Sequence, residues 1–187
     1  MCKTHPNRKK SSTSFSKYDS LSQGSLPFLT FAAKGFEMIT GISHLHSILR
    51  WVALIVILIA IVQSFKGFTR RLEYTDSNNR WSLFTLIAFH LQLVLGFVLY
   101  FSLGWHRQLG NMSDDVVRFW SVEHMVGMLV AIALVTIGRI VSKKNINGPM
   151  KHKRQLWFFF IALIIVVASI PWPWRELGIA RGLFPGM

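Results

Sequence analysis

Cysteine is almost absent: Cys2 is the only one in 187 residues. A lone thiol closes no internal disulfide, so a disulfide framework, a Cys-based metal site and thiol chemistry are all excluded. Acidic side chains are scarce too, eight against 21 Lys and Arg, which gives a formal charge of +13. Charged residues of both signs make up only 16% of the chain, hydrophobic residues 51%, and the mean hydropathy is +0.39. That balance is too apolar for a disordered chain and unusual for a soluble domain. No nucleotide motif or nucleophile triad appears either, so any enzymatic role would be that of a redox subunit.

What is present is long apolar runs. Four blocks, at 43–65, 82–104, 119–141 and 156–174, each approach the roughly 20 residues that a helix needs to cross a bilayer. The expected fold is therefore an all-α integral membrane protein, an antiparallel four-helix transmembrane bundle spanning 38–176. Ala53 and Ala60 share one face of the first span, as do Gly127, Ala131 and Leu134 on the third, and small residues let membrane helices approach closely. Trp81, Trp105, Trp120, Trp157, Trp172 and Trp174 fall near span ends, where an indole anchors in the interface. Pro171 and Pro173 stop the fourth helix, since a ring without an N–H cannot continue the ladder.

The basic excess has a topological cause. Lys66, Arg70, Arg71 and Arg80 follow span one, and Lys143, Lys144, Lys151, Lys153 and Arg154 follow span three. The opposite side offers Arg107, Arg118, Arg175 and Arg181. By the positive-inside rule the first and third loops are cytoplasmic and both chain ends lie outside. The partner expected of this charge is the lipid bilayer, not a nucleic acid, because no soluble reading surface remains.

Residues 1–37 are rich in Ser and Lys, lack helical periodicity and are expected to be disordered. Their basic residues would sit on the outer side, against the charge rule, which suggests Met38 as the true start. Residues 177–187 form a short C-terminal tail.

Seven histidines remain to be explained. His5, His106 and His152 fall in the tail or loops and are expected to be solvated. His44, His46, His90 and His124 lie within or beside spans, together with Arg50 and Glu123, and intramembrane polar groups default to a functional reading. His46 and Arg50 are four apart and share a face with Ala53 and Ala60, whereas His44 points about 200° away from His46. At ~1.5 Å per residue from outer ends at Ser43, Gly104 and Phe119, His46 lies about 5 Å deep, His124 about 8 Å and His90 about 21 Å.

Two imidazoles at one level on different helices match what a b-type haem requires: a nitrogen on each side of the iron, apolar walls, and cations near the interface for the propionates. Arg50 and Arg118 are candidates for those cations. Glu123 could accept from His46, pair with Arg50 or relay protons, and His90 is expected to be a buried polar or proton-linked residue near a quinone. The plainer reading is that the histidines bridge helices by hydrogen bonds. A rival class is a non-redox accessory or transport-assembly protein that binds copper or zinc with Glu123.

The segments HLHSILRWVALI at 44–55, FHLQLVLGFVLYF at 89–101, RFWSVEHMVGM at 118–128 and IPWPWR at 170–175 resemble a group of small bacterial four-span proteins labelled cytochrome b. The resemblance covers Met38 to Arg175. It implies a haem-type membrane electron carrier, with His46, His90 and His124 at the positions of that group's histidines. The expected setting is a bacterial inner membrane, with electrons passing between a quinone pool and a redox partner at the outer face. Diheme cytochrome b bundles carry two level pairs of ligands. His44 and His90 differ in depth and form no second pair, so one haem is expected.

Overall fold

The computed structural model describes the backbone of residues 15–174 and the side chains of residues 34–174. Cys2, His5, Arg175, Arg181 and the expected tail at 177–187 lie outside the described residues. The chain divides into two units, Met1–Thr40 and Gly41–Met187. In the first, the described backbone is helical, which differs from the tail expected at 1–37: helix α1 runs Phe15–Thr69. Once a span has formed, each further residue adds a hydrogen bond without repeating the cost of nucleation.

In the second unit α1 is followed by α2 (Asp76–Ser102), a 3₁₀ turn (Trp105–Arg107), α3 (Asp115–Arg118), a π-helical turn (Phe119–Glu123), α4 (His124–Ser142) and α5 (Gly148–Ser169). Among the described residues four stretches are long and apolar enough to cross a membrane: Lys34–Thr69, Asp76–Ser102, Asp115–Ser142 and Gly148–Ser169. They pack as an all-α bundle. Capping sets their starts: the Asn78 side chain reaches back to the Thr75 N–H at 2.9 Å, Asp114 accepts from Val116 and Val117, and Asn147 accepts from Met150.

Apolar side chains cover the outside as well as the inside. Val52, Ile55, Leu58, Leu91, Val94, Ile161 and Ile164 all point outward. A helix that is apolar all round suits hydrocarbon on its outer face, so the bundle is read as membrane-embedded. Its interior is small-residue packing. Ile57, Ala60, Ala131, Val135, Phe159 and Ala162 are fully buried in one belt. Gly138 lies where a Cβ would meet the Phe158 Cβ at 2.7 Å, so α4 and α5 approach through it.

The two ends of the bundle differ in character. The end formed by the loops after α1 and α4 carries the basic residues and is termed the basic end. The other, formed by Leu103–Asp114 and the exit of α5, is termed the cleft end.

His152 departs from its expected solvated position. It lies in the second turn of α5 and is 1% exposed, its ring seated against Gly67 and 5.0 Å from that of Tyr74. The cause is that α5 begins at Gly148, eight residues before the apolar block. Its first turns hide an inward stripe, His152, Gln155, Phe159, Ala162 and Val166, behind Lys151, Lys153 and Arg154.

Candidate functional site

A cleft of about 200 Å³ opens among α1, α2, α4 and the end of α5. His46 and Arg50 reach it from α1, Gln92, Gly96 and Tyr100 from α2, and Trp120 and His124 from the third span. Met125, Met128, Leu54, Phe89, Ile132 and Val166 supply apolar walls. Thus His46, Arg50 and His124, singled out from the sequence, line a single cavity. The two imidazoles and the Arg50 guanidinium lie within electrostatic range of each other.

His46 is held by its backbone and by a fitted gap. Gln92 Nε2 donates to the His46 carbonyl at 3.1 Å. Gly96 faces the ring, where even a Cβ would stand 3.5 Å from His46 Cε1. Among the described residues the Nδ1 of His46 is buried with no hydrogen-bond partner, as are Gln92 Oε1 and the Nδ1 atoms of His106 and His152. Buried polar atoms are nearly always paired, so these atoms call for an explanation, and those of His46 and Gln92 belong to residues that line the cleft.

His124 is anchored from behind. Its Nδ1 lies 2.8 Å from the Ser169 carbonyl oxygen. A carbonyl can only accept, so Nδ1 is the donor in this bond and carries a proton. The ring also packs against Trp120 at 5.5 Å and Phe119 at 5.9 Å.

The π turn before His124 sets its direction. The His124 N–H bonds the Phe119 carbonyl five residues back, so one residue is inserted and the following side chains are turned by about 100° relative to an unbroken helix. Tyr100 donates its hydroxyl to the Ser121 carbonyl inside this turn at 3.2 Å. The same geometry brings Glu123 against Arg118, five residues apart, at 2.9 Å. Arg118 also pairs with Asp115 at 2.6 Å, and all three side chains are exposed. Glu123 is therefore directed away from His46 and Arg50, and Arg118 is committed to two carboxylates outside the cleft.

His90 stands apart as well. It lies on the outward face of α2, its Nδ1 donating to the Leu86 carbonyl at 2.8 Å. Two residues along a helix turn a side chain by about 200°, so Gln92 faces the cleft and His90 does not. The expectation of a buried His90 is corrected: the middle of α2 presents it to the bilayer side. His44 is also exposed and lies off the cleft.

Sequence reasoning passed over Gly96, Tyr100 and the aromatic pair Trp105 and Trp120, whose rings stack 6.3 Å apart at the cleft mouth. Gln92, Gly96 and Tyr100 recur every four residues, a stripe of non-aliphatic positions within an otherwise aliphatic span that would have marked this face.

The donor set fits a b-type haem: two histidines from separate helices, apolar walls and one cation on the same cavity. The cleft volume, about 200 Å³, is below the roughly 300–1,000 Å³ of ordinary small-molecule sites, so a macrocycle would have to part the walls. Met125 and Met128, unbranched and adaptable, are the wall residues best able to move. Among the described residues no three of His, Cys, Asp and Glu converge on a point where a bare metal ion could sit.

No family model matches the chain, and neither a curated protein nor a solved structure shows significant similarity to it.

Proposed function

We propose that this membrane bundle is a haem b protein that carries electrons, in which His46 and His124 would hold the iron and Arg50 would balance the charge of the carboxylates. The observation that carries the reading is the convergence of the two imidazoles on one apolar cleft, one ring locked by a backbone carbonyl and the other with an unpartnered buried nitrogen. Bound haem would supply one-electron redox chemistry. The chain's own residues would orient the ligands, exclude water and balance charge. A Nδ1–H bond to a carbonyl raises the basicity of the opposite nitrogen and fixes the ring, as outer partners of ligating histidines do.

In this proposal the basic loops face the cytoplasm of a bacterial inner membrane and the cleft lies toward the outer side. A site within the bilayer suits a lipid-soluble donor such as a quinol, with a redox partner at the outer face. The alternative of a copper or zinc ion held with Glu123 gains no support, because that carboxylate is bound to Arg118 on the exposed side.

The test is optical. The full chain, purified in detergent after expression with ample haem, is expected to show a Soret band and sharp reduced bands. His46→Ala and His124→Ala are expected to lose them, while His106→Ala keeps them. A colourless wild-type protein, or a full spectrum in both ligand variants, overturns the assignment.

A further inference from the structure

An α-helix leaves its last four carbonyls without partners, and what takes them up depends on the sequence that follows. For α5 that sequence is Ile170-Pro171-Trp172-Pro173. The carbonyl of Val167 would pair with the N–H of residue 171, and that of Ser169 with the N–H of residue 173. Both positions are proline and have no N–H to give. Pro171 also drives the residue before it out of the helical region, and Ile170 is extended, with φ −73 and ψ 134.

Both released carbonyls are captured by ring N–H groups. The Trp172 indole donates to the Val167 oxygen at 2.9 Å. His124 Nδ1 donates to the Ser169 oxygen at 2.8 Å. The Trp172 N–H turns instead to the Ile170 carbonyl at 3.0 Å, so the backbone after α5 makes no competing claim on Ser169. Gly127, one turn along α4 from His124, lies against the Ser169 side chain where a Cβ could not fit, and so lets α4 come close enough for the bond.

We infer that Pro171 and Pro173 are positioning residues for the cleft: by ending α5 and withholding an N–H from the Ser169 carbonyl, they reserve that carbonyl for His124 and thereby fix its tautomer, with the proton on Nδ1. This deepens the haem reading and rests on it for its consequence, since Nε2 is then the nitrogen that would carry the lone pair a haem iron takes. The tautomer itself is a property of the chain without any cofactor.

The test is ¹⁵N spectroscopy of the full chain labelled at histidine, reconstituted in lipid without haem, with the His124 signals assigned by their loss in His124→Gln. In its neutral form wild-type His124 is expected to show a pyrrole-type Nδ1 and a pyridine-type Nε2. In Pro171→Ala/Pro173→Ala the helix can continue, residue 173 regains an N–H, and the proton is expected to move to Nε2, the tautomer that free histidine favours. A wild-type signal with the proton on Nε2 overturns the inference whether or not the double variant folds. An unchanged Nδ1–H tautomer in a folded double variant also overturns it.

The haem-loaded proteins give a second readout. Losing the carbonyl bond makes His124 a less basic ligand, so the midpoint potential of the double variant is expected to shift positive with the Soret band retained. No shift counts against the inference. A wild-type protein that never binds haem but shows the Nδ1–H tautomer removes the haem reading and leaves the proline effect standing. A haem protein with the opposite tautomer does the reverse.

Discussion

The two ends of the bundle differ in how many of their buried polar groups are tied to one another. At the basic end Tyr74 donates to Gln155 at 2.6 Å and Gln155 donates to Ser64 at 2.9 Å, while Arg139 reaches the Asn79 carbonyl at 3.0 Å. These bonds tie the first loop and helices α1, α2, α4 and α5 into one knot, with Ser82 Oγ and His152 Nδ1 left over. At the cleft end the polar groups face a cavity. Among the described residues His46 Nδ1 and Gln92 Oε1 are unpaired, and His124 donates from Nδ1 to the Ser169 carbonyl. Between the two ends lies the dry belt of Ile57, Ala60, Ala131, Val135, Phe159 and Ala162. The bonds of the basic end lock helices together, although His152 there borders a hollow of about 430 Å³. What sets the cleft end apart is that two imidazoles and a guanidinium line one apolar cavity.

This contrast is sharpened first by exchanging histidines between the ends. His124→Ala is expected to remove essentially all haem absorbance, whereas His152→Ala is expected to leave the spectrum intact and lower stability. Equal loss of absorbance in both, read on purified protein at matched concentration, would erase the distinction. Next in size is Gly67→Leu, which fills the notch that seats the His152 ring. Overpacking of this kind costs about 1–3 kcal/mol, measurable by denaturant unfolding in detergent. Unchanged stability would mean that His152 does not hold α5 to α1.

Gln155→Leu should cost a similar or smaller amount, about 1–3 kcal/mol, because it strands the Tyr74 and Ser64 hydroxyls. The cleft spectrum should not change, since the belt separates the two ends. The smallest effect is in pH. Burial pushes the Tyr74 phenol above its ordinary value of 10.0, with the Ser142 hydroxyl and the Arg139 charge opposing the shift. A raised acid pKa means that the folded state holds the proton more tightly than the unfolded state. Stability is then full below about pH 10 and declines as pH rises through the folded value. Tyr74→Phe should flatten that decline in an alkaline melting series, and an identical profile in both proteins would contradict the assignment.

How much of this was legible in the sequence depends on which signal each residue carried. The four spans were visible because hydrocarbon demands long apolar runs, and the stripe Ala53 with Ala60 gave the inward face of α1, hence His46 and Arg50. His124 was recognisable by depth. The π turn was not, because nothing in Phe119–Glu123 announces an inserted residue, and with it went the true partner of Glu123. His90 was misjudged because a polar residue inside a span is presumed to face inward, and depth carries no information about direction. His152 was hidden by its charged neighbours, although its spacing with Gln155, Phe159, Ala162 and Val166 follows the alternating three and four residues of a packed helix. The IPWPW segment was legible as a helix stop, but the use of the carbonyls it releases depends on a helix 45 residues away.

The central claim, that His46 and His124 grip one iron between them, is tested most directly by a haem titration of the purified full chain followed by electron paramagnetic resonance. The account predicts one haem per chain, low-spin in the ferric state with two imidazole ligands. High-spin haem, or no saturable uptake, would contradict it.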